Sequence, residues 1–346
     1  MSTIGTIGSL AANQVGLRAR IDTLTRQVTN GQISYRHGDL GPDARRAIDL
    51  RAEIGRREAY GNAADRALGR ADAMQTVMTR LHALASEVSA EAMRAKTVGA
   101  PGVDPLARAA GAALAEAAAL LNTQHGGEYL FGGSDVMTPP VTDAMAITGG
   151  PMATAIATAV GTLDETNAAA VLATIEAAST DAATSPFSAF LEADGATEAR
   201  RALQVADGER VAFGVFANRD QADGVADSWG RQLLRGLATL ASVTTEQAQL
   251  GDGWTGLLDG ITATLGGATR GLAAEQGAVG AAQQRITAAA ERHADTLVAL
   301  RSQLGTVEEV DLAEASALLR EVQSRLEASY EVTGMIARIS LADMLR

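Results

Sequence analysis

Leu10–Val28, LAANQVGLRARIDTLTRQV, and Ala315–Ser340, ASALLREVQSRLEASYEVTGMIARIS, decide how this chain folds. In the first, Leu10, Gln14, Leu17, Ile21, Leu24 and Val28 recur at alternating steps of four and three, which places them on one narrow seam of a helix. In the second, Ala315, Leu319, Val322, Leu326, Ser329, Thr333, Ile336 and Ser340 keep the same rhythm. A seam this narrow is covered by another helix rather than by a broad core. Two seam-bearing ends therefore pair with each other, with neighbouring subunits, or with both.

The composition points the same way. Alanine makes up about a fifth of the 346 residues, far above ordinary usage, whereas aromatic residues are only 3%. Cores built from such side chains are thin layers between closely approaching helices, with little room for a deep pocket. The net charge of −12 removes any overall electrostatic attraction to nucleic acid or an anionic membrane. No stretch reaches the roughly 18–20 apolar residues of a membrane span. The absence of cysteine excludes disulfides, thiolate metal sites and cysteine nucleophiles. The start, MSTIGTIGSLAANQVGLRAR, has neither a basic nor an uninterrupted apolar region, so no cleavable secretory signal is expected.

Along the chain, the first helix is expected over Ile4–Val28, closed by Asn30-Gly31, with a loop over Gly31–Pro42. Asp43 caps a second helix running to about Thr97, with Ala47, Leu50, Ile54, Met74, Val77, Leu81, Leu84 and Val88 inward. GAPGVDP turns the chain into an antiparallel third helix that opens at Asp104-Pro105. HGGEYLFGGSDVMTPP (125–140) is a turn-rich extended piece, and Arg210–Phe216 reads as a strand. Helices resume at Ser228, a glycine loop is expected over Gly251–Gly256, and the last helix runs from about Leu272 to Arg346 with a register slip near Asp311.

The fold class expected is mainly α: a long antiparallel, coiled-coil-like rod formed by the N- and C-terminal regions, with a small central β-containing insert. The divisions are 1–42, N-terminal helix and loop; 43–136, N-terminal part of the rod; 137–228, a central insert; 229–310, C-terminal part of the rod; and 311–346, C-terminal helix.

Chemical motifs are sparse. Gly251–Gly256 fits G-x-G-x-x-G with Glu275 about twenty residues beyond, the spacing of a dinucleotide site. ASVTTEQAQL before it does not read as a buried strand, so a plain glycine loop between helices, in which Gly253→Ala would be mild, is the expectation. His37, His82, His125 and His293 are isolated, Gly132-Gly133-Ser134 lacks the last glycine of a nucleophile elbow, and Arg45-Arg46 and Arg56-Arg57 read as helix-surface charges. No catalytic residue, cofactor site or metal site is expected.

The residues now support a resemblance. SYEVTGMIARISLADMLR is similar to the C-terminus of flagellin-type proteins, in which a seam of Leu, Val and Ile leads to Ser-Leu and a short apolar close, here Ser340, Leu341, Met344 and Leu345. Asp311–Ala315 looks like the acidic start of that terminal helix. Glu128–Gly133 resembles the segment after the third helix in the family's hook–filament junction members. The family commonly has Ser-Gly and a double-acidic segment after the first helix, where this chain has Asn30-Gly31 and a lone Asp43.

The resemblance implies a non-enzymatic structural subunit of the bacterial flagellum, joining hook to filament. The alternatives are a filament-forming flagellin and, from another class, a soluble helical ligand-binding adaptor. It implies an inner tube built from the terminal helices and an outward-facing central insert. It also implies a helical polymer with other flagellar subunits and with itself, and an extracellular place reached through the flagellar type III export apparatus with an export chaperone. The assembly and chaperone surface it implies is Leu10, Leu17, Ile21, Leu24, Val28, Leu319, Val322, Leu326, Tyr330, Ile336, Ile339, Leu341, Met344 and Leu345.

Overall fold

The computed structural model describes residues 2–34, 37–193, 195, 197–219 and 227–344. Its helices are α1 (Ser2–Asn30), α2 (Ala44–Val98), α3 (Val103–Leu121), α4 (Pro151–Val160), α5 (Ala168–Thr180), α6 (Ala189–Glu192), α7 (Trp229–Ala241), α8 (Asp252–Glu308) and α9 (Leu312–Met344). Two antiparallel hairpins complete it: β1 (Gln124–His125) with β2 (Glu128–Tyr129), and β3 (Ala202–Ala206) with β4 (Glu209–Ala212). The mainly α class with a small strand-bearing central part is as expected. No described helix is long and apolar enough to cross a membrane.

The chain divides into two units, residues 60–291 and residues 1–59 with 292–346, and α2 and α8 contribute to both. In the first unit, α2 and α8 are antiparallel neighbours. Gln75 donates to the Gln276 carbonyl at 2.8 Å, Gln283 donates to Asp72 at 2.6 Å, and Lys96 pairs with Asp259 at 2.5 Å. Met74, Met78, Leu81 and Val88 of α2 meet Leu106, Leu114 and Leu121 of α3, Leu233, Leu234 and Leu237 of α7, and Leu257, Ile261 and Leu265 of α8 in one apolar cluster. Alanines between them, such as Ala110, Ala117 and Ala268, are buried, and their small side chains let the helix backbones approach. Phe131, just beyond the first hairpin, packs edge-on against Trp229 with ring centroids 6.3 Å apart.

Residues 137–228 share this core. Val141, Ile147, Met152, Ile156, Val171, Ile175 and Phe187 belong to the same cluster as α3 and α7. The segment carries three short helices, α4, α5 and α6, ahead of the β3–β4 hairpin. Its extended part also differs from the sequence expectation: β4 stops at Ala212, the Phe213 and Gly214 N–H groups both donate to the Arg201 carbonyl at 2.9 and 3.1 Å, and Phe216 forms an isolated bridge with Gly132. A pin of charge fixes α5 and α6 to α7. Arg231 donates through Nη2 to both carboxylate oxygens of Glu192 at 2.9 Å and through Nη1 to the Ser179 carbonyl, and Ser185 donates to Glu192.

The expected glycine loop at Gly251–Gly256 is instead the first turn of α8. Gly251, at φ 49°, makes the turn, and the helix opens at Asp252. An ideal Cβ on Gly253 would lie 1.9 Å from the Asp164 carbonyl oxygen, one on Gly256 2.9 Å from the Ala168 Cβ, and one on Gly260 2.3 Å from Leu172. The glycines thus form a helix face on which residues 164–172 sit. Glu275 is fully buried, and Arg200 donates to it through both Nη atoms at 2.8 Å. Neither feature is arranged for a nucleotide. Likewise Gly133 has φ 66° and no room for a Cβ beside the Phe216 ring.

In the second unit the last helix breaks in two. α8 ends at Glu308 and α9 begins at Leu312, because Asp311 accepts backbone N–H bonds from Ala313 at 2.8 Å and Glu314 at 3.1 Å, an N-cap that starts a new helix where the sequence suggests a register slip.

Gly253→Ala should lower stability by about 1–3 kcal/mol through overpacking against Asp164, rather than being mild, and an unchanged urea midpoint would contradict the close approach. Arg200→Met, which strands the Glu275 carboxylate, should cost about 3–5 kcal/mol, and adding Glu275→Leu should recover most of it in the same measurement.

Candidate assembly interface

Within residues 1–59 and 292–346, α1 and α9 lie antiparallel and put their seams together. On α1, Leu24 is only 2% exposed, and Leu10, Gln14, Leu17, Ile21 and Val28 are half-buried. Between them Asn13, Gly16, Arg20 and Thr25 are exposed. On α9, Ala315 is 2% exposed, and Leu319, Val322, Leu326, Ser329, Thr333 and Ile336 are half-buried. Tyr330 lies off the seam, 39% exposed. Ile339, Leu341 and Met344 lie on α9 with side chains outside the described residues, as does Leu345 altogether.

The seam has one polar layer. Gln14 donates through Nε2 to Thr333 Oγ1 at 2.9 Å, to Ser329 Oγ at 3.3 Å and to the Ser329 carbonyl at 3.4 Å. Beside it Arg18 donates to the Tyr330 hydroxyl at 2.7 Å, its guanidinium 5.6 Å from the ring centre. A polar residue at a seam position fixes register at some cost in stability, because any slip leaves its donors without acceptors. The helical period gives Gln14, Ser329 and Thr333 their places, but only the structure brings them across from the two ends of the chain.

The far end of the pair is closed by backbone bonds. Ile33 N–H donates to the Glu308 carbonyl at 2.8 Å and Val310 N–H to the Gly31 carbonyl at 3.0 Å, with Gln32 and Glu309 bridged. The Glu308 carboxylate, 7% exposed as a residue, accepts from Arg51 at 2.7 Å, and that bond holds the Arg51 guanidinium above its ordinary value. Leu40 and Ala47 pack on Val307 beneath this junction.

Two paired helices leave their outer faces open. Val15 on α1 is 67% exposed, and Val332 and Met335 on α9 are also uncovered. A shallow depression of about 450 Å³ lies among Tyr330, Glu331, Gly334, Met335 and Arg338. The arrangement offers apolar helix surface and no reactive group. Of the histidines, His293 is buried beside Arg57, with 3.3 Å between Nδ1 and Nη1, His82 is half-buried on α2, His125 is exposed at the first hairpin, and the His37 side chain is outside the described residues. Among the described residues no three His, Cys, Asp or Glu side chains come together as metal ligands.

The geometry defines a class first: a helical chain whose two ends form one coiled-coil-like pair. Residues 262–345, which take in most of α8 and all of α9, match the family described as the bacterial flagellin C-terminal helical region. The C-terminal quarter of the chain is thus similar to flagellin over the helix that carries one of the two seams. Comparison with curated proteins gives no match.

Gln14→Leu should leave the pair helical but weaken its register. Spin labels at exposed Asn13 and Glu327 should give a narrow distance distribution in the parent chain and a broadened one in the variant; equal widths would contradict the role of the polar layer.

Proposed function

We propose that this chain is a non-enzymatic structural subunit of the bacterial flagellum, and that within it the chain acts as the hook–filament junction protein, hook-associated protein 3. The observation that carries the reading is the match of residues 262–345 to the flagellin C-terminal helical region, with its seam laid against the N-terminal helix of the same chain. The resemblance of Glu128–Gly133 to the junction members supports that role over the alternative of a filament-forming flagellin.

In this reading residues 1–42 and 311–346 form the inner tube. Leu10, Leu17, Ile21, Leu24 and Val28 hold Leu319, Val322, Leu326 and Ile336, while the outer residues Val15, Val332 and Met335 meet neighbouring subunits. Residues 43–136 and 229–310 build the next layer, and residues 137–228 face outward. Before export, the α9 face made by Leu319, Val322, Leu326, Tyr330, Ile336, Ile339 and Leu341 lies in the groove of a cytoplasmic chaperone, by the helix-in-groove mode. Chaperone and α1 then compete for one seam, and passage through the type III export apparatus releases it for α1. Covering a seam that is marginal alone couples the folding of α9 first to the chaperone and then to pairing with α1.

A labelled copy imaged on purified flagella should mark only the boundary between hook and filament. Label along the whole filament would assign the chain as a flagellin, and absence from flagella would overturn the reading. Leu326→Asp places a charge in the seam and should cost several kcal/mol on pairing; residues 60–291 should stay folded by circular dichroism, while flagella end at the hook. Normal filaments with Leu326→Asp would contradict the assembly role.

A further inference from the structure

We propose that a cleft between α2, the first hairpin and the start of the second is a binding site for a small doubly charged oxyanion of the phosphate or sulfate type. The cleft measures about 430 Å³, and Arg66, Arg70, His125, Glu128, Arg201 and Phe213 are among the residues that line it. Three arginines therefore share the cleft with one carboxylate. Arg70 Nη1 donates to Glu128 Oε2 at 3.1 Å, and Arg201 donates to the same oxygen. Glu128 is thus shared, and it neutralises only one of the positive charges around it.

Arg70 Nη2 donates to the Tyr129 carbonyl at 2.5 Å, and part of the remaining donor set is unspent. Arg66 is exposed at the mouth, and neither its side chain nor that of His125 has a hydrogen-bond or ion-pair partner among the described residues. Arg70 is 5% exposed, and its Nε is covered without an acceptor. Burial pushes the Arg70 guanidinium below its ordinary value, the Arg201 charge adds to this, and the Glu128 charge opposes it. Gly126 and Gly127, at φ 63° and 82°, make the tight hairpin turn that sets His125 over α2 at Gly69. Planar guanidinium forks on a partly enclosed wall suit an oxyanion, which accepts several N–H bonds at once and balances the charge that Glu128 leaves over.

The full chain should bind sodium sulfate and sodium phosphate saturably, one anion per chain, by isothermal titration calorimetry, with sodium chloride at matched ionic strength giving no such isotherm. Arg66→Gln and His125→Ala, both at exposed and unpartnered positions, should each weaken binding at least threefold without changing the circular dichroism spectrum. Arg285→Gln, an exposed arginine elsewhere on α8, should leave it unchanged. Sedimentation with and without sulfate should be unchanged, and sulfate that dissociates associated chains would overturn the proposal by assigning the cleft to a carboxylate of a second copy. Absence of saturable binding, or equal weakening by Arg66→Gln and Arg285→Gln, would overturn the proposal.

Discussion

The contact between the two ends of the chain is the constraint on which this account depends. Neither α1 nor α9 has an apolar face broad enough to join a globular core, and an isolated helix of this kind is marginal in water. Each supplies what the other lacks. Leu24 and Ala315 reach nearly full burial in the pair, and Leu10, Gln14, Leu17, Ile21, Val28, Leu319, Val322, Leu326, Ser329, Thr333 and Ile336 are half-buried. The backbone bonds from Ile33 to Glu308 and from Val310 to Gly31 tie the same junction to the ends of α1 and α8.

Alanine and glycine decide the packing in residues 60–291. The core there consists of helices brought close by small side chains, with Trp229, Trp254, Phe131, Phe187 and Phe216 among its large groups. Gly253, Gly256 and Gly260 show the consequence for motif reading: glycines spaced for a nucleotide loop are spaced equally well for a helix face that accepts another backbone. Charge has a narrower task. The Arg231–Glu192 and Arg200–Glu275 pairs are buried, so they hold particular segments in place and are costly to break singly.

The seams were legible because a seven-residue rhythm over many turns is a strong signal, and the inward positions of α2, from Ala47 to Val88, were legible for the same reason. The start of α8 was not, since its first turns are glycine-rich and only packing against Asp164 and Leu172 makes those glycines helical. The short helices α4 and α5 were hidden by Ala- and Thr-rich sequence with weak periodicity. The strand expected over Arg210–Phe216 ended early: Phe213 and Gly214 share the Arg201 carbonyl, and Phe216 bridges to Gly132 instead of continuing along β3. Of the candidate interface, the residues were readable one helix at a time. The hydrogen bonds from Gln14 to Ser329 and Thr333 join positions more than 300 residues apart, which no local pattern specifies.

Hydrogen exchange over Leu10–Val28, compared between the monomeric full chain and a chain ending at Glu309, tests the central pairing most directly. Slow exchange of these amides in the full chain and fast exchange in the shortened one is the result expected if α9 covers the seam of α1. Equal exchange in the two chains would contradict it, because α1 would then owe its order to something other than its partner.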